Sequence, residues 1–302
     1  MTVHRTPATA AIAHDLPTFI VIGAMKAGTT SLYQYLRHHE QVFMSRIKEL
    51  DFFVAERNWP RGLEWYRRQF ADAGDATARG EASTLYTKWP EFDGVPERIA
   101  SVLPDVRLIY VVRDPIVRIR SHYQHRVMTG TETGPPAEAL LRDPTYVGCS
   151  RYATQLERYL EHFPREQLLV VTSEALRTDR RATVQEVYDF LGVDTGRVPE
   201  VIDTEFYRTA ERRTYPPVVW WARRIAKRHL PQATRTKQVV DSMLTRRAER
   251  AHVGLGDSDP EHSVTDAIIS PELRARLADL LRDDVARLRA YLPSDFDGWG
   301  LA

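Results

Sequence analysis

The densest chemistry in the sequence lies in TFIVIGAMKAGTTSLYQYLRHH at 18–39. An apolar run ends at Ile22-Gly23, a short loop carries Lys26, Ala27 and Gly28, and a helix is predicted from about Thr29. Loop N–H groups and the positive end of that helix meet at one point, which makes an anion site. Gly23 and Gly28 let the backbone turn tightly and approach a phosphate-sized group. Thr29, Thr30 and Ser31 add hydroxyl donors. The spacing from Gly23 to Gly28 is that of a nucleoside-triphosphatase loop, G-x-x-x-x-G-K-[ST]. Thr29, however, occupies the lysine position, and the lysine has moved to Lys26 in mid-loop. Of 42 basic residues only five are lysines, so a lysine departs from this chain's habit of writing positive charge as arginine. No acidic strand end offers itself to magnesium, because VVRD at 111–114 puts Arg113 before Asp114. The pattern reads as a phosphate cradle that relies on protein cations, and a metal-assisted triphosphate reaction is disfavoured.

Two further groups of residues carry chemistry. Arg113 closes the run VRLIYVV, and Ser121 follows eight residues later in RDPIVRIRSHYQHR at 113–126, a little over two helical turns. A guanidinium and a hydroxyl on one side of such an element suit an isolated phosphate monoester. The other group is KELDFF at 48–53, where Glu49 is followed by Leu50, Phe52 and Phe53. Partial desolvation there would raise a carboxyl pKa and make Glu49 a better proton acceptor near neutrality.

GAMKAGTTSL resembles the 5′-phosphosulfate loop of sulfotransferases that use 3′-phosphoadenosine 5′-phosphosulfate (PAPS). Within that superfamily the chain is similar to the heparan sulfate N- and O-sulfotransferase branch and its bacterial relatives. The resemblance runs in order over residues 18–193 and returns in the last thirty residues, to DFDGW at 295–299. It implies a P-loop-like α/β fold, PAPS as donor, adenosine 3′,5′-bisphosphate (PAP) as product, and no metal. It implies that Lys26, with Ala27, Gly28, Thr29, Thr30 and Ser31, holds the 5′-phosphosulfate, and that Arg113 and Ser121 hold the 3′-phosphate. Glu49 matches the family's catalytic glutamate in a Glu-x-x-Phe-Phe segment. His125 matches the histidine of a serine–x–Tyr–Gln–His run that faces the reacting centre, and Lys48 is a candidate second cation. Arg212 and Arg213, in EFYRTAERRTYPP at 205–217, are the candidates for a late basic cofactor loop. Two departures stand out. Ala82 follows Glu81 where the heparan O-sulfotransferases carry a lysine, and Asp51 stands where a histidine often precedes the two phenylalanines. Both bear on the acceptor, so the acceptor is not expected to be recognised as in heparan enzymes.

The elements that must position these residues follow from periodicity. TFIVIG at 18–23, VRLIYVV at 106–112 and QLLVVT at 167–172 read as strands buried on both faces, with ARGE at 78–81 a weaker fourth. Helical patterns occupy 29–38, 94–103, 115–128, 150–163 and 180–190. The alternation predicts a three-layer α/β fold, a mainly parallel sheet flanked by helices. Residues 1–16 read as a flexible leader and 17–302 as one domain. A basic, mostly helical insert or lid is expected at about 205–265, and a final helix from Ser270-Pro271 to about Tyr291.

Composition bounds the rest. The 302 residues carry 43% hydrophobic and 27% charged residues and a net charge of +1, ordinary for a globular chain. A single cysteine, Cys149, rules out an intrachain disulfide and a multi-cysteine zinc site. No secretory signal is read at the start, and a cytoplasmic location is expected. Between Arg212 and Arg250 there are eleven Lys/Arg against two acids, so peripheral contact with anionic lipid through 212–250 stays open, as does an acceptor lid. Nucleic acid is not expected as a partner, because charge is balanced overall and no recognition motif occurs. The expected reaction is sulfuryl transfer from PAPS to a hydroxyl or amine of a small-molecule, glycan or lipid acceptor. Two alternatives compete with it: an ATP- and magnesium-dependent kinase, disfavoured by the displaced lysine, and a non-catalytic nucleotide-binding module, disfavoured by intact Glu49, Lys26 and His125.

Overall fold

A computed structural model of the chain describes residues 15–204 and 268–302. All but the last two residues of the leader, and the basic segment with Arg212 and Arg213, fall outside the described residues. Five parallel strands form one sheet in the order β2-β3-β1-β4-β5. They are β1 (Phe19–Gly23), β2 (Val42–Met44), β3 (Ala78–Ala82), β4 (Arg107–Val112) and β5 (Leu168–Thr172). The helices are α1 (Thr29–Arg37), α2 (Leu63–Arg67), α3 (Val95–Val102), α4 (Pro115–Met128), α5 (Pro136–Arg142), α6 (Pro144–Gly148), α7 (Tyr152–Leu160), α8 (Ala175–Thr178), α9 (Arg180–Leu191) and α10 (Pro271–Leu288). The predicted α/β class and all four predicted strands are present. No helix among the described residues is long and apolar enough to cross a membrane.

β1 is central and every residue of it is buried, which is why its sequence is a continuous apolar run rather than an alternation. It pairs with β3 through Phe19–Gly80 and Val21–Ala82, and with β4 through Phe19–Arg107 and Val21–Ile109. Because all strands are parallel, the segments that leave β3, β1 and β4 emerge side by side at one edge of the sheet. That edge carries the phosphate loop, the 48–51 turn and Arg113, while Ser121 and His125 lie further along α4.

Helices pack through single apolar faces, α1 in the sheet's core cluster and α10 mostly in a second cluster with α4, α5 and α6. α1 buries Leu32, Tyr33, Tyr35 and Leu36, and α10 buries Leu273, Leu277, Leu281, Val285 and Leu288 at three- and four-residue intervals. Ser270 caps α10 by accepting from the Leu273 amide at 3.3 Å, as the Ser-Pro start predicts. The helix is also latched to α7. Its buried Asp284 accepts from the Ala153 and Thr154 amides at 3.0 and 2.9 Å, two of the donors that the start of α7 leaves unpaired. Elements absent from the sequence reading are short: β2 has three residues, and α2, α5 and α6 have seven or fewer. Such pieces hold less than two turns of periodic signal.

Candidate active site

The phosphate loop is built by backbone. β1 ends at Gly23, where a Cβ would come 2.0 Å from the Thr87 hydroxyl, so no larger residue fits. Ala24 donates to the Val111 carbonyl at 2.6 Å, and Ala27 donates to the Ala24 carbonyl at 3.1 Å, which closes the loop on itself. Gly28 precedes α1 with a φ of 96°, left-handed territory that a side chain disfavours. Its exposed backbone faces Ser173, whose hydroxyl would stand 3.4 Å from a Cβ there. No side chain caps α1, so the first-turn amides are not engaged by a cap. Thr29 is buried and Thr30 and Ser31 are partly exposed. Lys26 holds a φ of 71°.

The second anchor meets the first. Arg113 leaves the end of β4 and donates from Nη1 to the Lys26 carbonyl at 3.4 Å. It has no ion pair among the described residues, although burial pulls its guanidinium below the usual range, with Glu174 as the nearest compensating charge. Asp114 is fully employed as the cap of α4, accepting from the Ile116 and Val117 amides at 2.8 and 3.0 Å. Two turns along α4, the Ser121 hydroxyl is buried and has no hydrogen-bond partner. A buried orphan hydroxyl is uncommon and costs about 1–3 kcal/mol unless something bonds to it. The two histidines of SHYQH separate. His122 is buried against Tyr146, with ring centroids 4.8 Å apart, and burial together with Arg118 pulls its pKa to about 2, so it stays neutral. His125, one turn on, is partly exposed.

Glu49 is partly buried, but polar groups rather than its apolar neighbours hold its carboxylate. Leu50, Phe52 and Phe53 all turn into the core, while the Glu49 side chain is 35% exposed. Its Oε2 accepts from the Thr84 amide and hydroxyl at 2.6 and 3.0 Å, and its Oε1 is ion-paired with Lys48. Lys48 therefore sits on Glu49 rather than apart from it. Glu49 has a φ of 63° and Asp51 a φ of 49°. Among the described residues only four non-glycine positions have positive φ, and three of them are Lys26, Glu49 and Asp51. Strain of this kind gathers at functional sites. Asp51 also keeps one buried carboxylate oxygen without a partner, and burial, reinforced by Glu49, raises its pKa to about 6.

The sheet edge thus brings Lys26, Gly28 and Arg113 together on one side, and Lys48, Glu49 and Asp51 together on the other. The Ser83 amide bonds the Val21 carbonyl at 3.1 Å and the Thr87 hydroxyl bonds the Ile22 carbonyl at 3.1 Å, so the two sides share β1. Sequence reasoning missed Thr84, Ser173 and Glu174. Each follows the end of a parallel strand, and that position was the available signal. Among the described residues no group of three or more His, Cys, Asp or Glu side chains is placed to hold a metal ion.

Comparison with known proteins bears on the family and the fold. Residues 16–213 match the family profile of the sulfotransferase domain. The bifunctional heparan sulfate N-deacetylase/N-sulfotransferase 4 of Mus musculus is 30% identical over 226 residues, which cover 67% of this chain and 24% of that protein. The chain thus spans about a quarter of that relative's length. The heparan sulfate glucosamine 3-O-sulfotransferase 5 of Homo sapiens is 32% identical over 217 residues, 68% of this chain and 60% of that one. Among solved structures, a sulfotransferase from Alicyclobacillus acidocaldarius superposes with a TM-score of 0.66 at 25% identity, covering 94% of this chain and 98% of its own.

Proposed function

The chain belongs to the sulfotransferase family, and we propose that it transfers the sulfuryl group of PAPS to a hydroxyl or amine of an acceptor. The observation that carries the reading is the junction of the two anchors: a partly buried Arg113 without an ion pair among the described residues, bonded to the Lys26 carbonyl, with the buried orphan Ser121 hydroxyl two turns along its helix. A partly buried guanidinium without an ion pair and a buried hydroxyl without a partner fit a phosphate monoester, here the 3′-phosphate. The loop 24–28 and the uncapped first turn of α1 fit the 5′-phosphosulfate.

Each residue's task follows from charge. The acceptor O–H or N–H gives its proton to Glu49 as the acceptor atom bonds to sulfur. The bond between sulfur and the bridging phosphate oxygen breaks, and negative charge grows on that oxygen. Lys26 and the loop amides neutralise it. Lys48, paired with Glu49, is the second cation of the site, and His125 polarises the sulfuryl oxygens. Heparan sulfate in the relatives' names favours a glycan acceptor, and Asp51 and Ala82 mark where this chain holds it in its own way.

The test is transfer of labelled sulfate from PAPS to a panel of glycans, lipids and small molecules in the presence of a chelator. Labelled product and PAP are expected in equal amounts. Phosphate transfer from ATP–magnesium with no sulfate transfer to any acceptor would overturn the reading.

A further inference from the structure

We propose that Glu81 is a positioning residue: its buried carboxylate orients the hydroxyls of Ser83 and Tyr86 so that their oxygens hold the backbone turn presenting Glu49. The inference rests on the reading of Glu49 as the base, and it adds what keeps that base in place.

Glu81 lies on β3 with no exposed surface. Three hydroxyls donate to it: Tyr66 at 2.6 Å and Tyr86 at 3.0 Å to Oε1, and Ser83 at 2.6 Å to Oε2. A hydroxyl has one proton and two lone pairs, so spending the proton on Glu81 aims the lone pairs elsewhere. They face three successive amides. Asp51 donates to Ser83 Oγ at 3.0 Å, and Phe52 and Phe53 donate to the Tyr86 oxygen at 2.9 and 3.4 Å. The same tyrosines pack on the phenylalanines, with Phe52 stacked on Tyr66 at 4.3 Å and Phe53 against Tyr86 at 5.8 Å. Left-handed residues such as Glu49 and Asp51 each cost about 1–3 kcal/mol and persist only where surroundings over-determine them. Three anchored amides in a row supply that constraint. A carboxylate is an expensive group to bury, and burial pushes Glu81 up to about 7. An apolar side chain would fill the volume but would leave the hydroxyl protons without an acceptor and the lone pairs without direction.

The experiment compares Glu81→Gln and Ser83→Ala in the wild-type and Glu49→Gln backgrounds, measuring kcat, the Kd for PAP, and amide hydrogen exchange over 49–53. In the wild-type background kcat is expected to fall on the order of tenfold to a hundredfold for Glu81→Gln, with PAP affinity unchanged and faster exchange at 51–53. On Glu49→Gln the same substitution should add less than about twofold, because both act through one group. Full kcat in Glu81→Gln, or an equal loss in both backgrounds, overturns the proposal. Should Glu81→Gln fail to fold, Ser83→Ala decides by the same criteria with a smaller loss. If Glu49→Gln alone keeps full turnover while exchange at 51–53 accelerates in Glu81→Gln, the anchoring stands and the base assignment falls.

Discussion

The loop at 24–28 and the turn at 48–53 flank the same central strand, yet they are held by different means. The loop is shaped by backbone: Ala24 on the Val111 carbonyl, Ala27 on the Ala24 carbonyl, and glycine at 23 and 28 where a side chain would clash or strain. The turn has one backbone tie, from the Glu49 amide to the Ala82 carbonyl, and is otherwise shaped by side chains, with the Glu49 carboxylate on the Thr84 amide and hydroxyl and the Ser83 and Tyr86 oxygens on the amides behind it. A backbone-built cradle suits a ligand part that never varies, such as a phosphate. A side-chain-built turn places one carboxylate and can be retuned by single substitutions, and this chain's Asp51 and Ala82 lie in and beside it. On the proposed function, the contrast separates donor binding from acceptor activation.

The sharpest way to break the comparison is Glu49→Gln. If the turn serves only acceptor chemistry, kcat should fall by about 10²–10⁴ while the PAP Kd stays near wild type. A parallel loss of PAP affinity would show the two sides to be one.

A second effect belongs to the turn alone. Glu81 titrates at about 7 in the folded chain against an ordinary 4.5, mainly because it is buried. Between those values Glu81 binds more protons in the native chain than in the unfolded one, so its contribution to stability is fully present below about pH 4.5 and is lost as pH rises through 7. At ~1.4 kcal/mol per unit the contribution is roughly 3 kcal/mol. Urea midpoints from pH 4.5 to 8 should therefore fall more steeply for wild type than for Glu81→Gln. Equal slopes would remove Glu81 from the account.

The loop is expected to answer to packing instead. Gly23→Ala places a methyl 2.0 Å from the Thr87 hydroxyl, and overpacking of this kind typically costs 1–3 kcal/mol. A lowered Tm with weaker PAP binding is expected, because the strand end that launches the loop must shift. Unchanged PAP affinity would mean that the loop does not depend on Gly23.

The same contrast explains what was legible in the sequence. The loop motif is contiguous, so Lys26, Gly28 and Thr29 could be read with their element, and strands β1, β4 and β5 announced themselves as apolar β-branched runs. The Ser270 cap was equally local. The support of Glu49 was not, since Thr84 and Tyr86 stand 35 and 37 residues downstream and nothing in KELDFF names them. Glu81 was visible only as a glutamate in a weak strand, because burial and three hydroxyl partners are properties of packing. The sequence reading of a partly desolvated Glu49 did not show which groups would surround its carboxylate, for a related reason. Its φ of 63° turns the backbone, and the phenylalanines leave on the opposite side.

The central claim is that Lys26, its loop and Arg113 hold an adenylyl phosphosulfate without a divalent ion, and calorimetric titration with PAP in a chelating buffer tests it most directly. The account predicts binding in the absence of magnesium, weakened by about ten- to a hundredfold in Arg113→Ala, as loss of a charge-assisted phosphate contact requires. No heat with PAP in chelator, together with binding of ATP that depends on added magnesium, would contradict it.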